Sequence, residues 1–289
     1  MKATLVGMTG LFFCLSFFAG VGMAQSILLS PTQTQWIGEA VLKNESPGQP
    51  GNLLRWEKNK NYLSLGIGNF IWYPAGEKKA TEDETFVKLV AYLRNQDQKI
   101  PAWLDTTPVP PCPWRSYEEF VQQQDSAQAN ELRRFLAETK ASQTAFLISR
   151  MEEALPAMLA SVPDKEKLKI TKQFFRLATD TKGVFVLVDY INFQGIGVLP
   201  TEKYAGEGWG LLSVLQAMDG EKSAPPAVAE FVDKATEVLT ARVENAPPGH
   251  DEYRYLPSWL NRVKSYLAIS PPVESSPTAK PAPSITPAF

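Results

Sequence analysis

The spacing of apolar residues along the chain predicts a protein built mainly of helices. In residues 34–45 apolar side chains recur at helical spacing, which predicts a short amphipathic helix with Glu45 near its C-terminal end. A Ser-Pro-Gly sequence follows directly, and proline and glycine end a helix. Similar patterns predict further helices over residues 81–96, 116–124, 129–159, 165–179, 182–193, 226–245 and 256–269. One more helix is predicted to start at about Trp209, after a glycine-marked loop.

One segment near the N-terminus has a different pattern. Residues 62–73 read YLSLGIGNFIWY, which is apolar and aromatic but interrupted by Gly66 and Gly68. This composition predicts a short strand with a tight turn, preceded by a loop that extends to about Asn61. Prolines between residues 101 and 113 predict an irregular connection, and no internal repeat is present. We therefore expect a mainly α (α+β) fold with a small β-hairpin near the N-terminus.

The two ends of the chain differ in composition from its middle. A lysine precedes a long apolar run, and small residues lead to Ala24, as is typical of a secretory signal sequence. We expect residues 1–24 to be cleaved and the mature protein to be periplasmic or secreted, with no stable membrane insertion afterwards. Residues 271–289 are rich in proline, serine, threonine and alanine, which predicts a disordered tail. Residues 25–270 suffice for one large domain or two closely packed lobes.

Charge and composition exclude several classes of partner. The formal net charge is −2 and no basic block occurs, which argues against a nucleic-acid partner. Once the signal is removed, Cys112 is the only cysteine, so no intramolecular disulfide is expected. Because His250 is the single histidine, a zinc site lacks its usual ligands, and no EF-hand loop is present. We expect neither a metal nor a cofactor.

Glu45 is the first candidate for chemistry. Cleavage of a glycosidic bond needs a proton donor for the departing oxygen. A carboxylic acid donates near neutral pH only where its surroundings favour the protonated form. The negative end of the predicted helix dipole lies at Glu45, and Trp56, Phe70 and Trp72 are close enough in sequence to exclude water. These features are consistent with a general acid.

The order of residues that follows Glu45 carries a family resemblance. The helix-ending Glu45, a loop with another acid and the sequence SLGIGNF resemble the lysozyme-like superfamily, in particular the phage-type lysozymes. Their pattern runs from a catalytic glutamate through an acidic loop into a Thr-x-Gly-x-Gly-His hairpin. The resemblance implies a lysozyme-like helical domain in which Glu45 is the general acid, Ser64 holds the attacking water and Glu57 is the second carboxylate. Asn69 stands where the family usually has histidine, and we assign it to substrate binding together with Tyr73.

A second segment, residues 189–215, combines polar side chains with glycines that permit close backbone approach. Sugar hydroxyls need amide and carboxylate partners, and a pyranose face packs on an aromatic ring. Asn192, Gln194, Glu202 and Tyr204 are therefore predicted to bind substrate. From Trp209 onward the helical spacing instead indicates core residues.

The resemblance implies an exported glycoside hydrolase that cuts peptidoglycan between N-acetylmuramic acid and N-acetylglucosamine. Two alternatives remain open. In a lytic transglycosylase a single glutamate serves as acid and then as base, so Glu57 would not be needed. A noncatalytic glycan-binding or envelope protein with a lysozyme-like fold would use the same surface without cleaving the glycan.

Overall fold

The computed structural model describes residues 27–46, 52–77 and 84–272. The predicted signal sequence and nearly all of the predicted tail lie outside these residues. The described residues form ten helices, which are α1 Pro31–Glu45, α2 Thr85–Asn95, α3 Tyr117–Gln123, α4 Ala127–Glu138, α5 Lys140–Ala160, α6 Asp164–Leu177, α7 Thr181–Gln194, α8 Leu211–Ala217, α9 Pro226–Glu244 and α10 Leu256–Ala268. They also form five short strands, which are β1 Leu54–Arg55, β2 Leu63–Leu65, β3 Phe70–Trp72, β4 Lys203–Tyr204 and β5 Glu207–Gly208. The prediction of a mainly helical chain with a small β element is confirmed.

Helix α1 ends at Glu45, as its sequence pattern predicts. It begins with a capping box in which Ser30 and Gln33 satisfy each other's backbone N–H groups. Its buried face packs on α5 and α7. At Gly38 an added Cβ would lie 2.1 Å from Thr144 Oγ1, so the absence of a side chain lets α1 and α5 approach closely.

Strands β1, β2 and β3 form an antiparallel sheet in that order. Strands β2 and β3 pair Leu63 with Trp72 and Leu65 with Phe70, and these four side chains are buried in the core. The turn between them has positive φ at Gly66 (65°) and Asn69 (49°), a conformation that glycine and asparagine tolerate best.

A buried glutamine anchors this turn to the helices. Gln143 Oε1, on α5, accepts a hydrogen bond of 3.0 Å from the backbone N–H of Ile67. The same side chain donates to Leu136 O and to Thr139 Oγ1. Because its polar atoms are paired and Gln143 is fully buried, the turn is held in one position relative to α5.

Three local predictions are wrong. The segment predicted as a loop up to Asn61 contains β1, because Leu54 and Arg55 pair with the edge of β2. The helical pattern over residues 129–159 divides into α4 and α5, which meet at Thr139, where the side-chain hydroxyl donates to Phe135 O. The glycine-marked loop contains a second, two-stranded hairpin of β4 and β5.

One contiguous set of buried apolar side chains joins the three-stranded sheet to the helices. Cys112 lies in this core as a free thiol, and burial raises its pKa to about 12. Among the described helices, none is both long and apolar enough to cross a membrane.

Candidate functional site

The carboxylate of Glu45 is the meeting point of three separate parts of the fold. Its Oε1 accepts hydrogen bonds from Arg262 Nη2 on α10 (2.6 Å) and from Asn192 Nδ2 on α7 (2.9 Å). Its Oε2 accepts one from Asn69 Nδ2 in the β2–β3 turn (2.6 Å). The Glu45 side chain is 11% exposed. Its backbone carbonyl, left without an intrahelical partner at the helix end, accepts from Arg55 Nη1 at 2.7 Å.

Arg262 is shared between Glu45 and a second carboxylate. Its Nε and Nη2 donate to the two oxygens of Asp189 at 2.9 and 2.8 Å, and Tyr266 Oη donates to Asp189 Oδ2 at 2.5 Å. Asp189 is fully buried, and the guanidinium lies 4.4 Å from the ring centre of Phe193. We call Glu45, Arg262 and Asp189 the acid triad. When all three groups are ionised, it carries one net negative charge.

This arrangement shifts the pKa of two groups, Arg262 and Tyr266. Burial alone would lower the pKa of the Arg262 guanidinium, but the carboxylates of Asp189 and Glu45 outweigh burial and raise that pKa well above its ordinary value. Burial and the negative charge of Asp189 raise the pKa of the Tyr266 hydroxyl well above its ordinary value. Arg262 therefore stays charged, and Tyr266 stays a hydrogen-bond donor, throughout the physiological pH range.

The other two predicted catalytic residues lie beside Arg55. Glu57 Oε1 is 4.0 Å from Arg55 Nε, and the Glu57 side chain is 52% exposed. Ser64 is directly opposite Arg55 in the β1–β2 ladder, so their side chains share one face of the sheet. No hydrogen bond among the described residues joins Glu57 or Ser64 to the carboxylate of Glu45. Arg55, whose Nη1 contacts the backbone carbonyl of Glu45, is the residue that connects Glu45 with Glu57 and Ser64.

A groove of about 610 Å³ runs along α5 next to the acid triad. Its floor is one face of α5, formed at helical spacing by Phe146, Arg150, Ala154 and Ala157. One wall comes from β3 and α2, and the other from the end of α7 and the loop that follows it. We call it the α5 groove. Its volume falls within the range of about 300–1,000 Å³ that is usual for ligand sites.

Asn192 connects the α5 groove to the acid triad. It lines the groove, while its Nδ2 donates both to Glu45 Oε1 and to Gly68 O, the latter at 3.0 Å. Glu45 itself is not a lining residue, so its carboxylate lies one amide group behind the groove wall. Of the residues predicted to bind substrate, Asn69 and Asn192 are the two that contact Glu45.

Gln194 and Glu202 line the α5 groove but have internal partners. Gln194 is 5% exposed, and its Oε1 accepts from Arg242 Nη1 at 2.6 Å. Glu202 Oε2 accepts from the backbone N–H groups of Gly197 and Leu199, at 3.0 and 2.9 Å, and so holds the loop closed. Burial raises the pKa of Glu202, and these backbone hydrogen bonds act in the opposite direction.

The structure does not bring Tyr73 or Tyr204 to the α5 groove. Tyr73 is 7% exposed, and its ring packs edge-on against Tyr62. Tyr204 lies on β4, which turns it towards the loop before α10, where its hydroxyl donates to Glu252 Oε1 at 2.9 Å. The Tyr73 ring thus packs within the fold, and the Tyr204 hydroxyl forms hydrogen bonds within it.

Sequence reasoning missed four charged residues of this region, which are Arg55, Arg150, Asp189 and Arg262. Asp189 had a usable signal, because a lone carboxylate in the apolar run of α7 needs a buried partner. For Arg262, the surrounding sequence gives no signal of its partner, because Glu45 is 217 positions away along the chain. The described residues contain no group of three or more histidine, cysteine, aspartate or glutamate side chains that could hold a metal ion.

The site is thus a largely buried glutamate at a helix end, charge-paired with an arginine and joined through an asparagine to a groove. Comparison of the chain with protein-family models, with characterised proteins and with solved structures finds no match.

Proposed function

We propose that this protein is a glycoside hydrolase of the lysozyme-like type, which cleaves peptidoglycan strands with Glu45 as the general acid. One observation carries the proposal. Asn69, Asn192 and Arg262, from three separate elements, converge on a helix-end glutamate that is 11% exposed and one amide group away from a groove. Polar convergence on a titratable group beside a groove is typical of active sites.

Accessibility separates the two carboxyl groups that share Arg262. Asp189 has two N–H donors and the Tyr266 hydroxyl, and it is fully buried. Glu45 has a single contact to Arg262 and keeps a small exposed fraction. Of the two carboxyl groups, Glu45 is therefore the one proposed to meet the substrate.

In the hydrolytic mechanism, water attacks the anomeric carbon once the leaving oxygen takes the proton of Glu45. Ser64 and Glu57 are the groups proposed to hold that water, and the Glu57 carboxylate would take the proton that the water loses. Their position beside Arg55, which contacts the Glu45 backbone, supports this role. The glycan strands would leave with reducing ends.

A lytic transglycosylase is a second candidate, and one observation favours it. Glu57, the proposed second acid, is about half exposed, and its ion pair is with Arg55, at 4.0 Å. An enzyme that uses one glutamate and the 6-hydroxyl of the substrate does not need a second acid. Mass spectrometry of released fragments separates the two reactions, because only the transglycosylase produces 1,6-anhydro ends.

The test compares the purified protein with its Glu45→Gln variant on purified sacculi. The matched control is Glu39→Gln, because Glu39 is an exposed residue on the same helix and has its hydrogen bond with Gln35. We expect Glu45→Gln to lose about 100-fold or more of fragment release, the usual contribution of a positioned acid, and Glu39→Gln to retain it. Equal release by the wild type and Glu45→Gln would remove Glu45 from the chemistry. Binding to sacculi without release by any form would favour the noncatalytic glycan-binding alternative.

A further inference from the structure

We propose that Arg150 binds a carboxylate of the substrate in the α5 groove, beside the glycosidic bond on which Glu45 acts. This inference rests on the proposed function, because it names the chemical class of glycan that the same site takes. The substrate would be an acidic glycan, with the carboxylate on the sugar or on a peptide attached to it.

Three arginines outside the α5 groove form ion pairs with nearby carboxylates. Arg176, Arg242 and Arg262 have side chains that are 6%, 15% and 13% exposed. Each has a carboxylate oxygen within 2.8 Å, as expected because an unpaired charge is costly to remove from water. In these three arginines the charge of the guanidinium is balanced by a neighbouring carboxylate.

Arg150 has no such partner in the described part of the chain. Among the residues that the structure describes, no carboxylate lies within 4.0 Å of its guanidinium. Its contacts are a long hydrogen bond of 3.5 Å from Nη1 to Asn192 Oδ1 and the ring of Phe146, 5.9 Å away. Burial lowers the pKa of the Arg150 guanidinium, with Glu153 acting in the opposite direction, so the group has lost part of its hydration. An anionic ligand would supply the missing partner.

The groove around Arg150 suits such a ligand. Lys88, on the opposite wall, is exposed and adds a second positive charge. Of the two lining carboxylates, Glu202 is occupied by backbone N–H groups and Glu153 is exposed to water. Ala154 and Ala157 leave space above the helix next to Arg150. A planar guanidinium can bind a carboxylate with two parallel hydrogen bonds, which gives geometric selectivity as well as affinity.

Asn192 sets where the carboxylate would lie relative to the acid. Its Oδ1 faces Arg150, and its Nδ2 faces Glu45 Oε1 and Gly68 O. One side-chain amide therefore separates the anion-binding group from the proposed proton donor. A sugar whose acidic group is bound by Arg150 would have its glycosidic bond close to Glu45, whereas a neutral amino-sugar polymer would lack this contact.

The experiment measures binding in the Glu45→Gln background, so that cleavage does not alter the ligand. Arg150→Gln removes the charge, Arg150→Lys restores it, and Arg254→Gln is the control, because Arg254 is 58% exposed and is not among the groove residues. The ligands are intact sacculi, glycan strands stripped of peptide by an amidase, which leaves free lactyl carboxylates, and the neutral N-acetylglucosamine hexamer.

We expect Arg150→Gln to weaken binding of the acidic glycans by about ten- to a hundredfold, the usual effect of losing hydrogen bonds to a charged group. Arg150→Lys should recover part of the loss, and the neutral hexamer should bind all variants equally. Dependence on Arg150 for both acidic ligands would put the carboxylate on the sugar, and dependence for intact sacculi alone would put it on the peptide.

The proposal is overturned if Arg150→Gln weakens the neutral and acidic ligands equally, since Arg150 would then act only by orienting Asn192. It is also overturned if the protein with Arg150 intact binds acidic glycans no more tightly than neutral ones. Failure of the proposed function would look different. Glu45→Gln would then release fragments to the same extent as the wild type, while Arg150-dependent binding would persist.

Discussion

Replacement of Arg262 with methionine should destabilise the protein strongly. The change leaves Asp189 fully buried, and of its three hydrogen bonds from side chains of the described residues only the one from the Tyr266 hydroxyl remains. Glu45 loses its ion pair at the same time. Removing one partner of a buried pair leaves an uncompensated charge, which costs about 3–5 kcal/mol. Arg254→Met is the control, because its ion pair with Asp251 is 3.6 Å long and exposed, and such pairs contribute about 0–1 kcal/mol.

The assay is urea denaturation followed by circular dichroism, with the free energy of unfolding compared among variants at one pH. A double variant, Arg262→Met with Asp189→Asn, separates charge from packing. Asparagine keeps the shape of Asp189 and an acceptor for the Tyr266 hydroxyl but carries no charge. We expect the double variant to recover a large part of the loss. The reasoning is refuted if Arg262→Met lies within about 1 kcal/mol of the wild type, or if the double variant is no more stable than the single one.

Three further changes test the turn, the acid and the core. Gly66→Ala should lower the free energy of unfolding by at least about 1 kcal/mol more than Gly76→Ala does. Both glycines have positive φ, but only at residue 66 would the new Cβ meet a buried side-chain oxygen, at 2.3 Å. Equal losses in urea denaturation would contradict this. Asn69→Ala removes the 2.6 Å hydrogen bond to Glu45 Oε2 and should lower fragment release from sacculi by about tenfold or more, the usual effect of losing a hydrogen bond to a charged group; unchanged release would contradict a positioning role for Asn69. Cys112, whose pKa is raised to about 12, should be inert to a thiol reagent at pH 8 until the protein is unfolded, and rapid labelling of the folded protein would disprove its burial. The raised pKa means that the folded state favours the neutral thiol, so the thiol stabilises the protein fully below its ordinary pKa. This stabilisation should be lost as pH rises towards 12, and the Cys112→Ala variant should not show that loss.

Much of the helical framework could be read from the sequence. The end of α1 at Glu45 was predictable because apolar periodicity and the Ser-Pro-Gly stop are both local signals. The β2–β3 hairpin was predictable because Gly66 supplies the positive φ of its turn. Strand β1 was not, because a two-residue strand has almost no pattern of its own and exists only through pairing with β2. The break at Thr139 likewise depends on side-chain hydrogen bonds that compete with a continuous helix.

The site divides in the same way. Glu45 and Asn69 belong to one stretch of sequence, and its order of residue types was enough to select them as candidates. Asn192 and Arg262 contact Glu45 from 147 and 217 positions away, and no local pattern encodes such a pairing. The packing of α1 on α7, and of the other helices around them, decides which distant donors reach a given carboxylate. Hydrophobic periodicity sets helices one at a time, because it depends on neighbours three or four residues apart; charge pairing depends on distances through space, which only the assembled fold defines.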